Sequence, residues 1–289
     1  MSRTPLDQIL DHLRGEPSRT WSIIITIYGD AIVPRGGSVW LGTLLAFFKA
    51  LEISDGVVRT AMSRLASDGW LERAKVGRNS FYRLADKGRE TFRAAADHIY
   101  HPRPPVWSGH FDMLLLDNGM DREAARAALE AAGFGGPAPG LWIAPAGRPV
   151  PAAAAEALRL HAGGDAATNR ALAARAWPLA ETAAAYARFL AVFTPLRAQL
   201  EAGAQLSDLD ALVVRVLLIH EYRRIVLRDP ILPPDILPED WPGAAARALC
   251  AALYRPLIGP SERWLDANGL AESGDPLPPA REISRRFKD

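Results

Sequence analysis

The chain has 289 residues, with 34 Lys+Arg against 33 Asp+Glu and a formal net charge of +1. Hydrophobic residues make up 49% and charged residues 23%, the balance of a globular protein with material for more than one core. That excludes a highly charged disordered chain, and a single cysteine excludes an intrachain disulfide framework or a cysteine metal centre. Cys250 lies in the apolar run Ala-Leu-Cys-Ala-Ala-Leu and reads as a buried helix position. The N-terminal residues lack an apolar signal core, and no run reaches the roughly 20 apolar residues that span a bilayer. A cytoplasmic protein with no membrane partner is expected. The charge is uneven: residues 1–96 carry a net +4, and residues 97–289 a net −3.

Residues 21–28, Trp-Ser-Ile-Ile-Ile-Thr-Ile-Tyr, have strand propensity, but their place ahead of helical segments favours a buried helix capped near Ser18. Gly36-Gly37 breaks the chain, Val39-Trp40-Leu41 suits a short strand, and residues 43–51 suit a helix. Residues 54–83 are the most informative stretch. Ser54 is placed to cap a helix by accepting a hydrogen bond from a free N–H. Val58, Ala61, Met62 and Leu65 recur at i, i+3, i+4, i+7 and predict its buried face. The opposite face carries Arg59, Thr60, Ser63 and Arg64, which can hydrogen-bond phosphates and base edges. Gly69 stops the helix. Residues 70–76 and 80–84 alternate as strands, with Gly77-Arg78-Asn79 as the turn and a helix over 86–96 to follow. Helix, glycine and basic hairpin in this order predict a winged helix-turn-helix with duplex DNA as its partner. Ser54, Arg59, Thr60, Ser63 and Arg64 would meet the groove, and Lys75, Arg78 and Asn79 a neighbouring groove or the backbone. A single small reader gives limited specificity, which favours a symmetric dimer on an inverted repeat.

His101-Pro102-Arg103-Pro104-Pro105 reads as a linker. Beyond it, 110–116 suits a strand, 121–132 a helix capped by Asp121, Gly133-Phe134-Gly135-Gly136 a turn, and 140–144 a second strand. This matches half of a split βαβ, ferredoxin-like unit. The Ala-rich stretch that follows predicts a helix within 151–161. From Trp177-Pro178 the pattern is helical, over 179–200, 209–227 and 243–257. The tail from Gly274 is polar and Pro-rich and reads as mobile.

No phosphate loop, dinucleotide fingerprint, His-Glu-x-x-His or Gly-x-Ser-x-Gly motif is present, so no catalytic residue, cofactor or metal site is expected. On helix 209–227, Leu209, Leu212, Val213, Val216 and Leu217 form an apolar face, with His220, Arg223 and Arg224 on or beside its continuation. These three residues need partners. An internal network with Glu221, Asp229, Glu239 or Asp240 is one reading; the phosphates of a small effector are the other. Trp107, Trp142, Trp177, Trp241 and Trp264 read as core or interface anchors.

Five blocks in order resemble the PaaX family of bacterial transcriptional repressors. They are Tyr28-Gly29-Asp30 with Pro34-Arg35-Gly36-Gly37 and Val39-Trp40-Leu41; Val58-Arg59-Thr60-Ala61 with Ser63-Arg64-Leu65 and Gly69-Trp70-Leu71; Gly77-Arg78 with Tyr82-Arg83-Leu84; Gly133-Phe134-Gly135 with Pro139-Gly140-Leu141-Trp142-Ile143; and His220-Glu221-Tyr222-Arg223-Arg224 with Leu227-Arg228-Asp229-Pro230 and Leu237-Pro238-Glu239-Asp240-Trp241-Pro242-Gly243. The resemblance implies an α+β chain: a winged helix-turn-helix (1–98), a ferredoxin-like middle domain similar to small CRISPR-associated nucleases (106–176), a helical effector and dimerisation domain (177–273) and a mobile tail (274–289). It further implies a homodimer that represses a phenylacetate operon and is released by phenylacetyl-CoA. The likeness of the middle domain to nucleases raises one alternative, a metal-dependent nuclease using Asp117. A turn Asp followed by Asn118-Gly119 explains that residue more simply.

Overall fold

The computed structural model describes residues 7, 9, 10, 20–117, 119 and 121–288. They form a mixed helix-and-sheet, α+β chain whose C-terminal region is helical. Two compact units result: one from Met1–His101, Ala187–Arg224 and Ala244–Asp289, the other from Pro102–Tyr186 and Ile225–Gly243. Both are discontinuous in sequence, whereas the composition breaks suggest consecutive segments.

In the first unit, α1 (Thr20–Ile27) runs into a π turn over Tyr28–Ile32. The isoleucine-rich segment is a helix despite its strand propensity, because Ile23, Ile24 and Ile27 fall on one buried face. The expected cap near Ser18 lies outside the described residues. After β1 (Ser38–Trp40) come α2 (Leu41–Ala50) and α3 (Asp55–Ser67). The α3 helix buries Val58, Met62 and Leu65, as its periodicity predicts, while Ala61 of the same set is half-buried. Next, β2 (Leu71–Val76) and β3 (Asn79–Leu84) form an antiparallel hairpin, and α4 (Asp86–Tyr100) follows. Sheet order is β1-β3-β2, with Val39 and Arg73 on either side of Tyr82. Val76 pairs with Asn79, so the turn is the two residues Gly77-Arg78. Gly77 has φ +59°, the left-handed region that tight hairpin turns require and glycine enters without steric cost.

Three long helices follow in sequence: α7 (Leu179–Glu201), α8 (Asp208–Val226) and α9 (Gly243–Asn268), numbered after two helices of the second unit. Every residue of 211–220 in α8 is buried, including Arg215 and His220. A helix buried on all sides belongs to a core rather than to a surface with one apolar face. Contrary to expectation, the tail is packed: Leu277, Ile283 and Phe287 are all buried. The Phe287 ring meets Tyr100, Tyr222 and Tyr254 at centroid distances of 5.3, 6.0 and 5.4 Å. A polar composition hid three well-spaced apolar anchors.

The second unit holds β4 (Phe111–Leu115), α5 (Arg122–Ala131), β5 (Gly135–Ala138), β6 (Leu141–Pro145), β7 (Leu158–Ala162) and α6 (Ala166–Ala176). Its sheet order is β5-β6-β4-β7, with all neighbours antiparallel. Asp121 caps α5 by accepting from the Ala124 N–H at 3.1 Å. Gly133 (φ +79°) ends that helix, and Phe134 N–H donates back to Leu129 O. The helix expected within 151–161 is not formed. A single 3-10 turn (Ala152–Ala154) leads instead into β7. Alanine propensity lost to sheet pairing there, because the free edge of β4 takes Leu158-Arg-Leu-His-Ala as its partner.

One face of this sheet packs Phe111 and Ile143 against Ala173, Trp177, Leu232 and Ile236. The other packs Leu114 and Trp142 against Ala125, Leu129 and Phe134. Trp142, Trp177 and Trp264 are buried, and Trp107 and Trp241 pack at the edge of the first cluster, as their anchor role predicts. Cys250 is buried in α9, and burial pushes its thiol pKa well up.

Candidate nucleic-acid interface

The α3 helix with its N-cap and the β2–β3 hairpin carry all eight residues that the sequence assigns to DNA contact. Ser54, Arg59, Thr60, Ser63, Arg64, Lys75, Arg78 and Asn79 are every one exposed. Val58, Met62 and Leu65 fix the helix on its core, so Arg59, Thr60, Ser63 and Arg64 face outward by helical geometry. Ser54 stands at the N-cap with extended backbone (φ −68°, ψ 150°), but its hydroxyl makes no capping bond. The expected side-chain cap is therefore absent, and what closes the first turn is the Val58 N–H to Ser54 O bond. Thr60 Oγ1 donates to Gly56 O at 2.9 Å, leaving its lone pairs outward. Arg64 approaches Asp68 only to 3.8 Å and is 78% exposed, so its guanidinium is available to an anion. Among the described residues, Arg59, Lys75 and Arg78 make no ion pair. Beside this face, an open groove of about 330 Å³ lies between α1 and α3. Trp21 and Val57, 41% and 49% exposed, give it an apolar lining next to Arg64.

In the first unit His220 is buried, Arg223 is half-buried and Arg224 is exposed. His220 Nδ1 lies 3.0 Å from Thr26 Oγ1. Arg223 donates to Thr26 Oγ1 at 2.7 Å, and to the carbonyl and hydroxyl oxygens of Ser22 at 2.9 and 2.8 Å. Arg224 pairs with Glu221 at 3.2 Å. The His220 pKa is pushed down to about 3, first by burial and then by the two neighbouring arginines. It is therefore neutral at pH 7. This geometry is compatible with the internal reading, but His220 and Arg223 find their partners on α1 and Arg224 finds Glu221 on its own helix, none in the Pro-rich loop. Within the second unit, Asp229 accepts from Tyr186 (2.8 Å) and Glu239 from Arg170 (2.8 Å).

A charged hub that the sequence pattern does not pair joins Asp30, Arg215, Glu262 and Arg286 with Arg35, Tyr100 and Tyr254 in the first unit; of these, only Asp30 and Arg35 stand in the blocks that carry the family resemblance. Asp30, in the π turn after α1, is buried with its carboxylate between Arg215 and Arg286, at 2.7 and 2.8 Å. The Tyr100 and Tyr254 hydroxyls each donate to its Oδ1 at 2.7 Å. Arg215 also donates to Glu262 at 2.7 Å, and Glu262 accepts from Arg35 at 2.6 Å. Burial alone would raise the Asp30 pKa, but Arg215, Arg286 and the two hydroxyls reverse that and hold it below the usual carboxylate range. The hub joins the π turn, α4, α8, α9 and the tail. Its signal in the sequence is a lone Arg within Leu-Val-Val-Arg-Val-Leu-Leu-Ile, since an arginine so enclosed must be paired. Asp117 is exposed past the end of β4 and belongs to no cluster able to hold an ion among the described residues.

Comparison with known proteins matches these features to one family of regulators. A family model described as PaaX-like protein covers residues 19–88, and one described as PaaX-like protein C-terminal domain covers 177–267. The chain belongs to the PaaX family, whose members are regulators rather than enzymes. It is 35% identical to the transcriptional repressor PaaX of Escherichia coli K12, over 98% of this chain and 94% of that protein. A solved structure of an uncharacterized protein from Mycobacterium tuberculosis shares the fold with a TM-score of 0.52 and 26% identity, over 77% of this chain and 89% of the other. No helix among the described residues is long and apolar enough to cross a membrane.

Proposed function

We propose that this chain is a DNA-binding transcriptional repressor released by a small effector. Residues 20–100 read as a winged helix-turn-helix, with α3 as recognition helix and Gly77-Arg78 as the tip of the wing. The observation that carries this is the outward row Arg59, Thr60, Ser63 and Arg64 on a helix anchored by Val58, Met62 and Leu65. Arginine can bond guanine O6 and N7 together, and Val57 beside it can touch a thymine methyl. Strand order in the second unit fits a ferredoxin-like domain whose second crossover helix is reduced to one turn. The repressor named for Escherichia coli supports the regulatory role. The family resemblance supports a homodimer on an inverted repeat in a phenylacetate operon, and an acyl-CoA effector such as phenylacetyl-CoA.

An effector changes DNA affinity only if it binds two arrangements of the protein unequally. The bonds from His220 and Arg223 to Thr26 and Ser22 supply a path, because they tie α8 to α1, the first helix of the DNA-binding module. In this reading they transmit the effector signal rather than touch the ligand. The test is binding of labelled DNA from upstream of the protein's own gene, titrated with acyl-CoA thioesters. Specific retention that phenylacetyl-CoA relieves supports the proposal. Retention unaffected by any thioester removes the effector, and no retention above random duplex removes the repressor.

A further inference from the structure

We propose that His110, Asp112 and His161 form a binding site for one divalent transition-metal ion of the zinc class. The site follows from strand pairing. The antiparallel register of β4 and β7 sets Asp112 directly opposite His161, so their side chains leave one face of the sheet together. His110 precedes Asp112 by two residues and shares that face by the period of a strand. One ligand atom from each lies within 4.8 Å of the others. Ligands about 2.1 Å from a tetrahedral ion sit roughly 3.4 Å apart, so small side-chain rotations close the set. His161 Nδ1 is already 3.0 Å from Asp112 Oδ1, and the two imidazole rings are 5.3 Å apart at 85°.

The surroundings suit a ligand set better than a plain ion pair. Asp112 is only 5% exposed, and its other oxygen, Oδ2, accepts the Gly147 N–H at 3.0 Å, which orients Oδ1 toward the histidines. His110 Nδ1 lies 3.4 Å from the Ser108 carbonyl. Donating its proton there leaves Nε2 as the nitrogen with a lone pair, the outer arrangement usual for metal-bound histidine. A pair with Asp112 needs one imidazole, yet two converge on it. Past β7, a Cβ at Gly163 would lie 2.7 Å from Gly109 O and 3.3 Å from His110 Cβ, so glycine lets the chain pass close to the first ligand. Two imidazoles and one carboxylate are a donor set for zinc, cobalt or nickel rather than for magnesium or calcium. The His161 side chain is 65% exposed, which leaves a coordination position open to water. A bound ion would fasten the edge strand β7 to β4.

The test is calorimetric titration of chelator-treated full-length protein with Zn²⁺, alongside the visible absorption of Co²⁺ as a report of ligand geometry. One ion per chain is expected, with a raised unfolding temperature in Zn²⁺. His161→Ala and His110→Ala should each weaken binding by more than the roughly 10–100-fold typical of losing an outer partner of a ligand. Both should remove the Co²⁺ absorption while unfolding in chelator near the wild-type temperature. His161 is exposed and His110 precedes the strand, so neither change empties a core. Wild-type protein that binds no Zn²⁺, or a His110→Ala/His161→Ala double variant that binds it as tightly, overturns the proposal.

Discussion

Asp30→Asn tests the buried hub. The substitution keeps the side chain's size and removes its charge. Arg286 then loses the carboxylate 2.8 Å away, and Arg215 keeps Glu262, which Arg35 shares, as its one anionic partner among the described residues. The new amide points its N–H groups either at the Arg215 guanidinium or at the position where the Tyr100 and Tyr254 hydroxyls donate, and its nitrogen accepts a hydrogen bond in neither place. Removing one partner of a buried pair costs about 3–5 kcal/mol, mainly because a charge is left uncompensated. With an m-value of roughly 3 kcal/mol/M in urea, the unfolding midpoint at pH 7 should fall by about 1–1.7 M. Because the stranded charge carries the cost, Arg286→Met added to Asp30→Asn should recover part of the loss. A double-mutant cycle followed by circular dichroism measures this coupling. A loss below about 1 kcal/mol, or strict additivity of the two changes, would refute the claim that charge compensation holds this hub together.

Asp30 titrates below the usual carboxylate range, so its contribution is complete above about pH 3.8 and is lost as pH falls through the lower folded value. His220 acts in another window. Its folded pKa of about 3 lies below the ordinary 6.5, so the unfolded chain takes up a proton first as pH falls. Between pH 6.5 and 3 this residue should cost about 1.4 kcal/mol of stability per pH unit, and His220→Gln should flatten that slope in urea titrations. Arg59→Ala or Arg64→Ala should abolish specific operator retention while leaving stability within about 0.5 kcal/mol of wild type, since both residues are exposed. Lys75→Ala or Arg78→Ala should weaken binding to all duplexes and lower the slope of log affinity against log salt by about 0.9 for each phosphate no longer neutralised. Phe287→Ala, in a tail whose composition reads as mobile, should cost about 3–5 kcal/mol, because the ring is 4% exposed among three tyrosines.

The recognition-type helix was legible because it is governed by local rules. Val58, Met62 and Leu65 at helical spacing define its buried side, and the outward positions of Arg59, Thr60, Ser63 and Arg64 follow without knowledge of any distant residue. The same holds for the hairpin, since Gly77 must supply the positive φ of a two-residue turn. What the sequence alone determined is this surface and its place in the basic part of the chain. Tertiary structure decided everything that depends on partners far away in sequence. Leu158–Ala162 is a strand because β4 offers it an edge, against the helix propensity of its alanine-rich surroundings. The tail is ordered because Phe287 and Arg286 find the tyrosines and Asp30 from four other segments. Asp112 meets His161 only through the pairing of two strands distant in sequence, and His220 meets Thr26 across 194 residues. Periodicity reports which way a side chain faces on its own helix or strand. It does not report which distant charge or edge lies opposite, and burial makes that choice because an unpaired charge or strand edge in a core is too costly to keep.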